Sequence, residues 1–167
     1  RLSLAAATVG QLDALSPDAA ERELLACCGS HEWARQMTRA RPFREPAALY
    51  QAADRIWRSL SESDWREALA AHRRIGDAAA SGDAAQEQAG ALSAPASTRE
   101  SLARSNAEYE ARFGHVFVVC ASGKSGEEML ALCRDRLHND PKAELRLAAE
   151  EQRKITRLRL EKLARTE

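Results

Sequence analysis

Apolar residues return every three or four positions along most of this chain, the spacing of helices that bury one face. Leu49, Ala52, Ala53, Ile56, Trp57 and Leu60 are the clearest case and predict a helix over Ala47–Leu60, started by Pro46. Ser16-Pro17 predicts another start, with serine as N-cap and proline in the first turn, and a helix to Cys28 before Gly29. Ser30 is expected to cap His31–Arg39, which stops ahead of Arg41-Pro42, and Ser61 to open a helix leading to His72. Capping boxes are read at Ser97-Thr-Arg-Glu100, for a helix to about Arg112, and at Ser125-Gly-Glu-Glu128, for one ending near Asn139. Asp140-Pro141 begins a long last helix. At about 100° per residue, Leu147, Ala148, Ile155, Leu158 and Leu163 gather on one arc of that helix. Glu150, Lys154, Arg157 and Glu161 lie opposite, spaced for solvated ion pairs.

One stretch departs from the helical period. Val116-Phe-Val-Val-Cys-Ala121 is apolar and rich in β-branched residues, between Gly114 and Gly123, and reads as a short buried extended segment. Nothing else in the chain reads as a strand, so its backbone groups need other partners. A bound ligand would supply them; so would helix ends and water. The expectation is an all-α fold, one domain over 1–167 of about eight helices, with an extended segment near 116–121.

Composition narrows the function classes. The 167 residues suffice for a substantial core. Lys+Arg and Asp+Glu are 25 each, and zero formal charge argues against bulk attraction to nucleic acid or an anionic membrane. No apolar run is long enough to span a bilayer, and no signal-peptide pattern opens the chain. A few residues are expected to precede Arg1. Cys27, Cys28, Cys120 and Cys133 form no C-x-x-C, and the four histidines have no metal-ligand spacing. Reduced thiols in a cytoplasmic protein, without metal or disulfides, are therefore expected.

Three residues invite chemistry. Arg159 falls inside the apolar arc of the last helix and needs an anion, because burying an unpaired guanidinium is costly. Glu151 or Gln152 on the same arc would serve, and so would an anionic substrate. His72 ends its helix, where a cation favours the dipole and where a catalyst would also be presented. Glu87 and Gln88 sit in an Ala/Gly/Ser-rich stretch whose composition otherwise reads as a linker.

A set of short motifs connects these positions. C-C-G-S-H-E-W-A near Cys27, R-P-F at Arg41, H-x-x-I-G at His72 and E-Q-A-G at Glu87 come in that order. N-x-x-Y-E-x-R-F-G at Asn106–Gly114, F-V-V-C-A at Phe117, N-D-P at Asn139 and K-I-T-R-L-R-L at Lys154 follow. Each is weak alone. Their order and spacing resemble the 2-oxo-4-hydroxy-4-carboxy-5-ureidoimidazoline (OHCU) decarboxylases of urate degradation, from about Leu12 to Leu163. The resemblance implies an all-α lyase, commonly a homodimer, that forms (S)-allantoin from OHCU with loss of carbon dioxide and without metal or organic cofactor. It implies His72 as catalytic proton donor, with Glu87 and Arg159 beside it. Gln88 would assist substrate binding, with the backbone of Phe117, Val118, Val119, Cys120 and Ala121 and with Arg73, which follows the histidine. Two positions depart from the family pattern, Arg73 where proline is usual and Ala84 where serine is common. The rival reading is a non-enzymatic helical interaction domain, with His72 a helix-end charge and Arg159 a core ion pair.

Overall fold

Each helix start that the sequence marks with a serine or a proline is found, with one exception. The computed structural model describes residues 4–77 and 86–165, and for residues 4–7 the backbone alone. Its helices are α1 (Leu4–Ala14), α2 (Pro17–Cys27), α3 (His31–Ala40), α4 (Pro46–Ser59), α5 (Glu62–Ala70), α6 (Ala89–Leu92), α7 (Ala96–Phe113), α8 (Gly126–Arg136) and α9 (Pro141–Arg165). No strand occurs among the described residues, and the fold is all-α. No described helix is long and apolar enough to cross a membrane.

The caps work as chemistry requires. Ser16 Oγ accepts from the Ala19 amide and Ser30 Oγ from the Trp33 amide, both at 3.2 Å. At α8 the box is reciprocal: Ser125 Oγ accepts from the Glu128 amide, and Glu128 Oε1 accepts from the Ser125 amide. The exception is Ser97. α7 begins one residue earlier, after Pro95, and no side chain caps it, so Ser97 is inside the first turn and its box does not form.

The chain divides into two compact units, residues 1–68 with 153–167, and residues 69–152. In the first, α2 packs on α3, α3 on α4 and α1 on α4. The apolar face expected on α4 is buried as expected, from Leu49 through Leu60. The Trp33 indole N–H donates to the Ala53 carbonyl at 3.2 Å, so its large apolar surface is buried without stranding a donor. The R-P-F motif closes this unit. Arg41 Nη1 donates to the carbonyls of Leu12 (2.9 Å) and Leu15 (2.8 Å), while the Asp13 carboxylate accepts from the Phe43 and Arg44 amides. These contacts complete α1, which carries Gly10 in its interior and was not expected from the sequence.

In the second unit α7 packs on α8, and α6 on α8. Ile75, Leu102, Tyr109, Phe117, Met129 and Cys133 belong to its core. Each large apolar side chain fully buried there contributes about 1.5–3 kcal/mol. α7 ends at Gly114, whose φ of 78° is the left-handed C-cap conformation that favours glycine.

The buried face of α9 differs from the expected arc. Leu145, Ala148, Ala149, Gln152, Ile155, Thr156, Leu160 and Ala164 are buried, whereas Leu147 and Leu158 are each 37% exposed. The buried stripe is thus rotated toward polar Gln152 and Thr156, and two leucines lie on its margin.

Candidate functional site

α5 stops at Ala70, and the His72 amide donates to the Leu69 carbonyl at 3.2 Å. From there residues 72–77 form a turn pinned at several points. Ile75 is buried, and its carbonyl accepts from Asn106 Nδ2 at 3.0 Å. Gly76 has φ 83°, and its amide donates to Gln88 Oε1 at 3.1 Å. Arg74 Nε donates to Glu110 Oε2 at 2.7 Å. His72 itself is half-buried, and its Nε2 meets Oε1 of Gln152. The H-x-x-I-G spacing therefore has a physical meaning: the isoleucine anchors the turn, the glycine permits it, and the histidine is presented. Asn106 and Glu110 of the N-x-x-Y-E motif, one helical turn apart, grip that turn from α7. It also lines a cleft of about 420 Å³ with Arg99 and Asn106.

The E-Q-A-G motif meets the same turn. Gln88 is buried against Gly76, and Glu87 is half-buried. Gly90 lies so close to the loop before α8 that a Cβ on it would be 2.0 Å from the Lys124 carbonyl oxygen. Only glycine fits.

Residues 116–121 are non-helical, with Phe117, Val118, Val119 and Ala121 buried and Cys120 half-buried. Three of their backbone groups are held by charged side chains of this chain, a solution the sequence did not suggest. Arg136 Nη1 donates to the Val118 carbonyl at 2.7 Å, the Cys120 amide donates to Glu151 Oε1 at 3.0 Å, and Lys124 Nζ donates to the Cys120 carbonyl at 2.7 Å. The Cys120 amide, one of the groups expected to meet substrate, is thus engaged by Glu151. Arg136 is locked in turn. Its Nε donates to Glu144 Oε1 at 2.7 Å, its guanidinium covers the Phe117 ring at 4.6 Å, and the Tyr109 hydroxyl donates to the same carboxylate. Burial, and then the Glu144 carboxylate, push the Tyr109 phenol upward, so it remains a neutral donor.

Adjacent residues of α9 join these parts. Glu151 holds the Cys120 amide and Gln152 holds the His72 ring, so one turn of helix brings the histidine and the 117–121 segment together. Sequence reasoning offered both only as partners for Arg159. The available signal was a pair of polar side chains on a helical face that has to be buried.

Arg159 lies in the other compact unit, half-buried, with Nη1 3.5 Å from the Cys27 carbonyl oxygen. Next to Cys27, burial pushes the Cys28 thiol up to about 11. All four cysteines are free thiols. Arg73 is exposed, its Nη1 3.7 Å from Asp77 Oδ2. Ala84 lies outside the described residues. Among the described residues no group of three His, Cys, Asp or Glu side chains could hold a metal ion.

The pinned histidine, the E-Q pair and the gripped F-V-V-C-A segment are parts of one sequence pattern. The profile described as OHCU decarboxylase matches residues 13–161. The chain belongs to the OHCU decarboxylase family. It is 37% identical over 151 residues to the uric acid degradation bifunctional protein TTL of Arabidopsis thaliana, covering 86% of this chain and 47% of that protein. It is 42% identical over 76 residues to the 2-oxo-4-hydroxy-4-carboxy-5-ureidoimidazoline decarboxylase of Amia calva, covering 46% of this chain and 43% of that one. These matches span about half the length of those relatives. A crystal structure of OHCU decarboxylase in the presence of (S)-allantoin superimposes with a TM-score of 0.79 at 36% identity, covering 86% of this chain and 98% of that one. A crystal structure of (S)-allantoin synthase, at 19% identity and TM-score 0.71, covers 93% of this chain and 53% of that one and shares the fold.

Proposed function

We propose that this OHCU decarboxylase family chain converts OHCU to (S)-allantoin and carbon dioxide. The observation that carries the reading is the His72 turn, pinned by Asn106 and Gln88 with its imidazole set against Gln152. Such fixing suits a group that must deliver a proton in one direction.

The substrate carries its own electron sink, so the reading needs no metal or organic cofactor. The carbon that loses carbon dioxide bears a hydroxyl and neighbours a C=N bond. Electrons of the breaking C–C bond move into that bond and leave an enol-like intermediate. Protonation of one face of the ureido-bearing carbon, with the enol returning to a carbonyl, gives the product. One proton is consumed overall. Histidine titrates near neutrality and fits the role of its donor, and His72 is assigned to it. Glu87 accepts from ureido N–H groups, with Gln88 in support. Arg159 is assigned to the substrate's anionic charge, and amides of the 117–121 segment to its ring oxygens. Arg73, exposed beside Asp77, has the weakest support of the residues assigned to substrate. A homodimer in the cytoplasm completes the reading.

The test follows freshly generated OHCU by circular dichroism. Wild-type protein is expected to accelerate formation of one allantoin enantiomer, and His72→Ala to abolish that acceleration while costing about 1–2 kcal/mol in stability. Wild-type turnover in His72→Ala would refute the proton-donor role. No saturable activity in wild-type protein would refute the decarboxylase reading and favour the interaction domain.

A further inference from the structure

We propose that Gln152 is a positioning residue that sets the tautomer of His72, and that Nδ1 is therefore the nitrogen that exchanges a proton with substrate. The inference deepens the decarboxylase reading and rests on it. Gln152 is fully buried on α9, and its Oε1 faces His72 Nε2. A carboxamide oxygen only accepts, so the hydrogen belongs to the imidazole Nε2. In the neutral ring the lone pair is then on Nδ1; in the imidazolium the transferable proton is there.

The surroundings leave little freedom to escape this arrangement. Ile75 and Gly76 hold the backbone of the turn through Asn106 and Gln88, three and four residues past the histidine. Glu151, the neighbour of Gln152, is buried and committed to the Cys120 amide at 3.0 Å. Rotation of α9 that withdrew Gln152 would break that bond too. A buried carboxamide is also costly to leave without a partner, which favours keeping it on the ring.

The proton-transfer step then has a defined path. After carbon dioxide has left, the Nδ1–H bond of the imidazolium breaks and a C–H bond forms at the ureido-bearing carbon. The ring returns to its neutral form with Nε2–H still donated to Gln152, and solvent resupplies the Nδ1 proton. The ring nitrogen that meets Gln152 never changes its hydrogen, so the carboxamide need not reorganise during turnover.

The experiment reads tautomers directly. Full-length protein labelled with ¹⁵N at histidine is observed by long-range ¹H–¹⁵N correlation at a pH where the imidazoles are neutral, with His72→Gln assigning the signal. Wild-type His72 is expected as the Nε2–H tautomer. Gln152→Leu is expected to show a mixed population and at least about tenfold lower kcat, the lower reach of general acid–base catalysis, with KM little changed. Gln152→Glu keeps an acceptor at Nε2 and should retain the tautomer and recover most of kcat at its own pH optimum. An Nδ1–H tautomer in wild-type protein would overturn the proposal, whatever the variants do. So would wild-type tautomer and kcat in Gln152→Leu. Should that variant fail to fold, the wild-type tautomer and Gln152→Glu still decide. Since the tautomer is read without substrate, its failure is separable from a failure of the decarboxylase reading, which only the turnover assay detects.

Discussion

Arg136 shows how much one buried charge is made to do. It is the guanidinium that the sequence reading passed over on α8, yet it holds the Val118 carbonyl, pairs with Glu144 and covers Phe117. Glu144 is fully buried and also takes the Tyr109 hydroxyl and, at 2.9 Å, Asn139 Nδ2. Arg136→Met fills the volume but strands the carboxylate, and is expected to cost about 3–5 kcal/mol. Adding Glu144→Gln should recover much of that loss. Denaturant titration of both variants checks it; equal stability of wild type and Arg136→Met would show that the ion pair is not what fixes the segment. At the same scale Arg159 stays less defined, because its 3.5 Å approach to a carbonyl leaves room for an anionic ligand as its main partner.

Among the elements, the two candidate capping boxes make a matched pair. Ser125 is bonded at both ends of its box and Ser97 is not, so Ser125→Ala should cost about 1 kcal/mol. Ser97→Ala, on an exposed first turn, should stay within about 0.5 kcal/mol. Thermal unfolding of the two variants compares them directly, and a larger loss for Ser97→Ala would contradict the cap geometry. Helix α6 depends on closeness rather than capping. Gly90→Ala puts a methyl group 2.0 Å from the Lys124 oxygen, and overpacking of this kind costs about 1–3 kcal/mol. Because α6 directly follows Glu87 and Gln88, the expected kinetic signature is a raised KM. Unchanged stability and KM would mean that α6 can shift without consequence for the E-Q pair.

At the scale of the whole molecule, charge and mass are the accessible quantities. Equal numbers of acidic and basic residues leave no net field, so recognition of an anionic substrate has to come from local groups. The homodimer expected for the family gives a further test: light scattering should return twice the 18.4 kDa of one chain. A mass of one chain at micromolar concentration would remove the dimer from the proposal. The last helix shows how far a local rule extends across the molecule. Its start at Asp140-Pro141 was legible, since the Asp140 carboxylate accepts from the Lys142 and Ala143 amides within four residues. Its buried face was not, because a helix with neighbours on several sides has no single arc to read.

By itself the sequence determined the helix ends, the all-α class and the motif order that marks the family, because caps, turn glycines and short motifs act within a few residues. His72, Glu87 and Gln88 were reachable that way, and the F-V-V-C-A segment announced itself by breaking the helical period. Only the tertiary structure decided what those residues do to one another. Gln152 meets His72 across 80 positions, Glu151 meets Cys120 across 31, and Arg136 meets Val118 across 18. No periodicity encodes such pairs. They arise because burying apolar surface forces helices together, and each polar group buried with it must then find its partner wherever packing has placed one.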